Sequence, residues 1–263
     1  MTTKTTPWTP GTPCWADLMV PDVAAAGRFY SAVLGWEVPE PDPQFGGYVV
    51  AHVGGASTAG IGPEQPGART AWTLYFATDD ADATTAVVQQ HGGGVVAPVM
   101  DVMDLGRMAV LTDPSGATFG LWQAGTFNGG QVVGEPGGLA WEDLRSTDPA
   151  AAQAFYGAVF GFGFQPVEMA GPDYATFGPA GDPAPYGGMG GLMGGEGPSH
   201  WLVYFAVASA DAACAAAVEA GGKVQAPPFD TPFGRMGSVV DPDGAEFWVY
   251  ENNTGQPVPQ REE

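Results

Sequence analysis

Two short stretches place a carboxylate two residues after a tryptophan: Trp15-Ala16-Asp17-Leu18 and Trp141-Glu142-Asp143-Leu144. An aspartate set among apolar residues can act as a general base if burial lifts its pKa, or can orient a ligand through hydrogen bonds. Other residues able to hold a ligand stand along the same chain. Trp72, Tyr75 and Trp122 in the first half, with Tyr204 and Trp248 in the second, offer aromatic surface on which a flat molecule stacks. Arg107 and Arg235 both occur within Gly-Arg-Met. A guanidinium there could grip an anionic group with two parallel hydrogen bonds, or form a structural ion pair with Asp17 or Asp143. His52 is a further titratable candidate. Asp17, Asp143 and His52 are thus the candidate catalytic groups, and Trp15, Trp141 and the aromatic and basic residues above are candidate ligand contacts. His91 and His200 lie at non-equivalent places, and Cys14 and Cys214 adjoin no evident base, which makes them small buried residues. No nucleophile–base pair or carboxylate pair emerges from spacing.

The elements that must position these residues come in duplicate. Residues 15–38 and 141–164 agree at 12 of 24 positions with a constant offset of 126. A second block from Trp72 matches one from Trp201, and Gly106 onward matches Gly234 onward, at offsets of 129 and 128. Such drift is what loop insertions produce, so the chain is a tandem repeat. The units span 12–124 and 138–251, with a Gly/Pro-rich linker at 125–137 and a tail at 252–263. Within each unit, alternation in Trp15–Val20 reads as a strand buried on one side. Asp22 and Asp148 are N-caps, Pro149 suits a first helical position, and Gly35 suits a left-handed C-cap. A second helix covers about Ala81 to Gln90, and the strands after it flank the turn Asp113-Pro114-Ser115-Gly116. Each unit therefore holds two strand–helix–strands modules, an α+β architecture with helices on one face of each sheet. Alternation places Trp15 with Asp17, and Trp141 with Asp143, on the other face. The stretch Gly187–Gly195 lacks phosphate-loop spacing and reads as a mobile lid or linker.

Composition removes whole classes of partner. With 8 Lys plus Arg against 29 Asp plus Glu, the formal charge is -21. Phosphate backbones and anionic membrane surfaces both require basic side chains, so neither is an expected partner. No apolar run reaches the roughly 18 residues that cross a bilayer, and the N-terminus lacks a signal-peptide pattern, so the expected compartment is cytoplasmic. Two cysteines cannot make a disulfide framework.

The Phe-Tyr-x-x-x-(Leu/Phe)-Gly helix end, the Asp-Ala-Asp-Ala helix start, the Gly-Gly stop and the closing Asp-Pro-(Ser/Asp)-Gly-Ala hairpin together resemble the vicinal oxygen chelate superfamily. This superfamily includes glyoxalase I, bleomycin-resistance proteins and extradiol dioxygenases. The doubled arrangement is similar to an actinobacterial two-domain branch labelled glyoxalase-like or hydroxylase-like. The resemblance implies βαβββ modules paired into a concave half-barrel that holds a metal or a small molecule. It also implies three metal-ligand positions per unit. Counted from the motifs, these fall on Trp15, Thr73 (or Trp72) and Gly120, and on Trp141, Leu202 (or Trp201) and Trp248. A divalent cation wants imidazole or oxygen donors, which these residues do not supply. The expectation is a protein with no metal and no cofactor.

Three functions follow as expectations. In the first, an aromatic-lined pocket binds or sequesters a flat, largely apolar metabolite or antibiotic. In the second, a metal-free enzyme, hydroxylase-like, lyase or isomerase, acts on a secondary metabolite by acid–base chemistry through Asp17, Asp143, His52 or an arginine. In the third, the aromatics merely fill the fold. Because both units lie on one chain, a monomer with an internal pseudo-dimer is expected. Gly120 opposite Trp248 predicts the roomier cavity in the first unit.

Overall fold

The computed structural model describes residues 3–64, 70–182 and 184–254, so most of the expected tail, from residue 255 on, lies outside these. The first sheet comprises β1 (Pro13–Val20), β2 (Val49–Val53), β3 (Ala56–Pro63), β4 (Trp72–Ala77), β5 (Gly94–Val102), β6 (Gly106–Thr112) and β7 (Thr118–Ala124). Their spatial order is β2-β3-β1-β4-β7-β6-β5. The second comprises β8 (Leu139–Arg145), β9 (Phe162–Pro166), β10 (Ala175–Pro179), β11 (Gly187–Gly190), β12 (His200–Ala206), β13 (Lys223–Thr231), β14 (Gly234–Val240) and β15 (Glu246–Glu251). Its order is β9-β10-β11-β8-β12-β15-β14-β13, the same path with one strand added. In the first unit the counterpart of β9 shrinks to a single bridge between Glu37 and His52. Neither sheet closes on itself. In each, the two modules meet at a central antiparallel pair, β1 with β4 and β8 with β12.

Helices α1 (Val23–Leu34), α2 (Ala81–Gln90), α3 (Pro149–Phe160) and α4 (Ala210–Glu219) cover one face of each sheet. Local chemistry sets their ends. The Asp22 carboxylate accepts from the Ala25 N–H at 2.9 Å, and Gly35 turns left-handed at φ 72° to stop α1. Asp148 and Gly161 do the same for α3. In the closing hairpin, Asp113 Oδ1 accepts from the backbone N–H groups of Ser115 and Ala117, and Asp241 does the same for its own turn. No helix among the described residues is long and apolar enough to span a membrane.

The helix-covered faces of both units share one interior. Tyr30 of α1 packs against Phe247 of β15 with ring centroids 5.3 Å apart, and its hydroxyl donates to Asp241 at 2.9 Å. Trp36 and Trp72 both meet Phe205 of β12 at 5.1 Å. On the other side of the pseudo-dyad, Phe76 meets Phe160, and Phe119 meets Tyr156. The Phe-Tyr and Asp-Pro-x-Gly-Ala motifs thus join the halves. Strand alternation then sends Trp15, Asp17 and Tyr75 to the opposite, open face, while Leu18, Leu74 and Phe76 enter the shared core.

Candidate functional site

The centre of each open face is an aspartate wrapped by tyrosines. In the first unit Asp17 Oδ2 accepts from the hydroxyls of Tyr75 (3.1 Å) and Tyr48 (3.3 Å). The Trp15 indole N–H in turn donates to the Tyr48 oxygen at 3.1 Å. Asp17 is 5% exposed, and its Oδ1 has no hydrogen-bond partner among the described residues. Burial pushes its pKa up to about 7, against the two tyrosine donors that hold it down. Tyr48 and Tyr75 are shifted well above the usual phenol range, by burial first and by the Asp17 charge second, so they remain donors.

The second unit repeats the geometry with one added charge. Asp143 Oδ1 accepts from the Tyr174 hydroxyl (2.7 Å) and the Trp141 indole (3.1 Å). Its Oδ2 accepts from the Tyr204 hydroxyl (2.9 Å) and from Arg145 Nη2 (2.7 Å). Burial works most strongly against the Arg145 charge, but the Asp143 carboxylate together with Tyr204 and Tyr174 outweighs it and raises the guanidinium pKa. Arg145 stands at the repeat position of Met19, and among the described residues Asp17 has no ion-pair partner.

Glycines make room for these tyrosines. Gly60 lies opposite Asp17, and Gly188 opposite Asp143, in parallel pairs. A Cβ at Gly60 would overlap the Tyr48 hydroxyl, and one at Gly188 the Tyr174 hydroxyl. The first part of the stretch expected to be a lid is therefore strand β11, whose missing side chains seat a ring. Gly120 behaves alike: the Tyr75 ring lies across it, so the space expected there is already filled.

The first unit's face is in fact the more covered one. Trp8 (6% exposed) and Phe127 pack on Trp15, Tyr75 and Trp122, and the indoles of Trp8 and Trp122 donate to Gly130 O and Phe127 O. Trp141, Tyr174 and Trp248 on the second face are half-buried. Trp248 stacks on Tyr204 with centroids 5.3 Å apart, and its Nε1 is buried without a partner among the described residues.

Several sequence candidates lie elsewhere. Trp72 faces the shared core beside Tyr30 and Trp36, because it stands an odd number of residues from Tyr75 in one strand. Arg107 and Arg235 sit on the helix side. Arg107 pairs with Asp82 of α2 (2.7 Å) and Asp101 of β5 (3.0 Å), and Arg235 with Asp211 and Asp230. Their partners are surface aspartates, not Asp17 or Asp143. His52 is a partly exposed residue of β2, in register with Glu37 and Ser57, and takes no part in the hydrogen bonds around Asp17. Tyr48, Tyr174, Arg145, Trp8 and Phe127 escaped the sequence reading. Tyr48 and Tyr174 are nonetheless repeat-equivalent, and the spacings Gly60-x-Gly62 and Gly188-x-Gly190 mark the seats beneath them.

A divalent metal does not fit this donor set. Trp15, Gly120, Trp141, Leu202 and Trp248 bring no ligand, and Thr73 only a neutral hydroxyl. At the centre of each face stands one aspartate, Asp17 or Asp143. Both oxygens of Asp143 are occupied by four donors, one of them cationic, and a guanidinium at 2.7 Å repels a second cation. Among the described residues no three His, Cys, Asp or Glu converge.

Paired mixed sheets joined through their helices, each with a polar centre on its open face, define the glyoxalase-like class. A family model for the Glyoxalase/Bleomycin resistance protein/Dioxygenase superfamily matches residues 14–121 and 138–249, and the chain belongs to that family. Among its relatives, the anthracycline biosynthesis protein DnrV of Streptomyces peucetius is 39% identical, the match covering 96% of this chain and 98% of DnrV. CFP32 of Mycobacterium tuberculosis, provisionally named a glyoxylase, is 43% identical over 95% of this chain and 97% of its own. The Mn(II)-bound glyoxalase of Novosphingobium aromaticivorans shares the fold at TM-score 0.66 and 16% identity, covering 96% of this chain and 86% of that one.

Proposed function

We propose that this chain holds a small, flat aromatic molecule against the open face of its sheets without using a metal. The observation that carries this reading is the exchange at the family's ligand positions, where Trp15, Gly120, Trp141, Leu202 and Trp248 stand in place of cation donors, beside a tyrosine-wrapped aspartate on each open face. Such a surface combines stacking area with a few fixed polar groups, the pattern of a small-molecule site. The relative named for anthracycline biosynthesis supports a fused-ring ligand by analogy. Both faces come from one chain, so the working unit is a monomer, and its charge of -21 disfavours nucleic acid and anionic membranes as partners.

The test is a panel of fused-ring aromatics followed by thermal shift and tryptophan fluorescence, with and without EDTA. A binder present at a hundredfold over its Kd adds about 2.7 kcal/mol of stability. The expected result is a raised Tm and quenched emission that EDTA leaves unchanged, with the ligand recovered intact. One stoichiometric divalent ion per domain, or binding lost to EDTA, overturns the proposal.

Asp17 favours a second reading, a metal-free enzyme. A buried carboxyl with a pKa of about 7 and one unpartnered oxygen can take or give a proton near neutral pH. Turnover of a bound aromatic that Asp17→Asn abolishes while binding persists would support it, and unchanged turnover in that variant would end it.

A further inference from the structure

The two open faces present opposite hydrogen-bonding character. On the second, Asp143 accepts from Trp141, Tyr174, Tyr204 and Arg145, which leaves its carboxylate no spare lone pair facing a ligand. Among the described residues, what remains unsatisfied there is all donor. Arg145 Nη1 is buried with no acceptor among them, and so is Trp248 Nε1. Strand alternation puts Arg145 with Trp141 and Asp143 on the open face, and Trp248 joins them through Tyr204, on whose ring it stacks. Arg145 also stands over the Tyr174 ring, 5.8 Å from its centroid. A buried N–H without an acceptor is costly, so two on one surface mark where an acceptor belongs.

We infer that the second unit's open face is a receptor for a planar aromatic that carries an sp2 oxygen acceptor, taken by Arg145 Nη1 and Trp248 Nε1. The ligand oxygen is a ring-attached carbonyl or carboxylate. This inference rests on the reading that the open faces hold aromatic molecules, and adds to it the unit and the functional group. The first unit cannot substitute. It has Met19 for Arg145 and Gly120 for Trp248, and Trp8 and Phe127 cover its rings. The Arg145–Asp143 pair is net neutral, so the receptor does not depend on a charged ligand. Its discrimination lies in whether an acceptor is present, because leaving the two donors unpaired is what a poor ligand fails to remedy.

Three probes of one ring system test this by titration calorimetry on the full chain: 2-naphthoate, 2-acetonaphthone and acceptor-free 2-ethylnaphthalene. The two acceptor-bearing probes are expected to bind at least tenfold tighter than 2-ethylnaphthalene. Arg145→Lys keeps a cation beside Asp143 but loses the guanidinium fork, and Trp248→Phe keeps the stacked ring but loses its N–H. Either substitution is expected to cut the preference to about threefold or less, whereas Arg235→Lys on the helix side leaves it intact. Tight 2-naphthoate with weak 2-acetonaphthone restricts the ligand to carboxylates, and the reverse restricts it to carbonyls. Equal binding of all three probes, or a preference that survives both variants, overturns the acceptor inference while aromatic binding stands. Failure of all three to bind overturns both.

Discussion

At the residue scale, Asp17 and Asp143 show how one repeated side chain comes to have two chemistries. Both are buried beneath tyrosine hydroxyls, yet one has Arg145 at 2.7 Å and the other has Met19 at the equivalent place. In the folded state Asp17 titrates near 7, above its ordinary 3.8, so the folded protein holds this proton longer than the unfolded chain does. Stability from this group is full below about pH 4, falls as pH rises to about 7, and stays low above that. At about 1.4 kcal/mol per pKa unit, the ionised carboxylate costs up to about 4 kcal/mol at pH 8. Asp17→Asn keeps an acceptor for both tyrosines and removes the charge. Thermal melts from pH 4 to pH 8 should show this variant gaining on the parent as pH rises. Asp143→Asn is expected to go the other way, losing about 3–5 kcal/mol, because it strands Arg145 as an unpaired buried cation. Equal responses of the two variants would mean that the arginine does not set the difference. The sequence displayed both aspartates and their faces, since alternation is fixed by strand geometry. It did not display what surrounds them, because Tyr48 reaches Asp17 from across a parallel pair that no local pattern announces.

At the element scale, local chemistry was readable and sheet assembly was less so. Asp22, Asp148 and Gly35 mark the helix ends because caps act on backbone groups within three or four residues. By contrast β11 is four residues long and nearly all glycine, so it carries no alternating pattern and reads as loop. Its glycines serve the strand by leaving a seat for Tyr174, as Gly60 does for Tyr48. Gly60→Ala should therefore expel the Tyr48 hydroxyl from Asp17 and cost about 1–3 kcal/mol, as overpacking does. Denaturant melts give the number. In a Tyr48→Ala background the same glycine change is expected to cost less than half as much, because the ring it collides with is gone. An undiminished cost would place the strain in the backbone instead. The arginine assignments missed for a related reason. Arg107 stands next in sequence to Met108, which pairs with Trp122, and a one-residue step along a strand moves a side chain to the opposite face.

At the scale of the whole molecule, the repeat is joined through a single core. Phe29, Tyr30 and Trp36 reach Phe247 and Phe205 of the other unit, while Phe155, Tyr156 and Phe160 reach Phe76 and Phe119. The duplication was legible in the sequence, but the partner of each motif was not, because the Phe-Tyr helix end and the Asp-Pro-x-Gly-Ala hairpin that meet belong to different copies. Splitting the chain within the linker would expose the helix-covered face of both sheets to water at about 25 cal/mol per Å² of apolar area, without removing any strand. Residues 1–130 expressed alone are therefore expected to self-associate or aggregate, whereas the full chain unfolds in one cooperative step. Tyr30→Phe gives the graded version of the same test. It leaves Asp241 Oδ2 buried without its 2.9 Å donor and is expected to cost about 1–3 kcal/mol while the melt remains a single transition. Calorimetry distinguishes the outcomes. A monomeric half that melts cooperatively at the parent's temperature, or a Tyr30→Phe melt that separates into two steps, would show that each unit carries its own core.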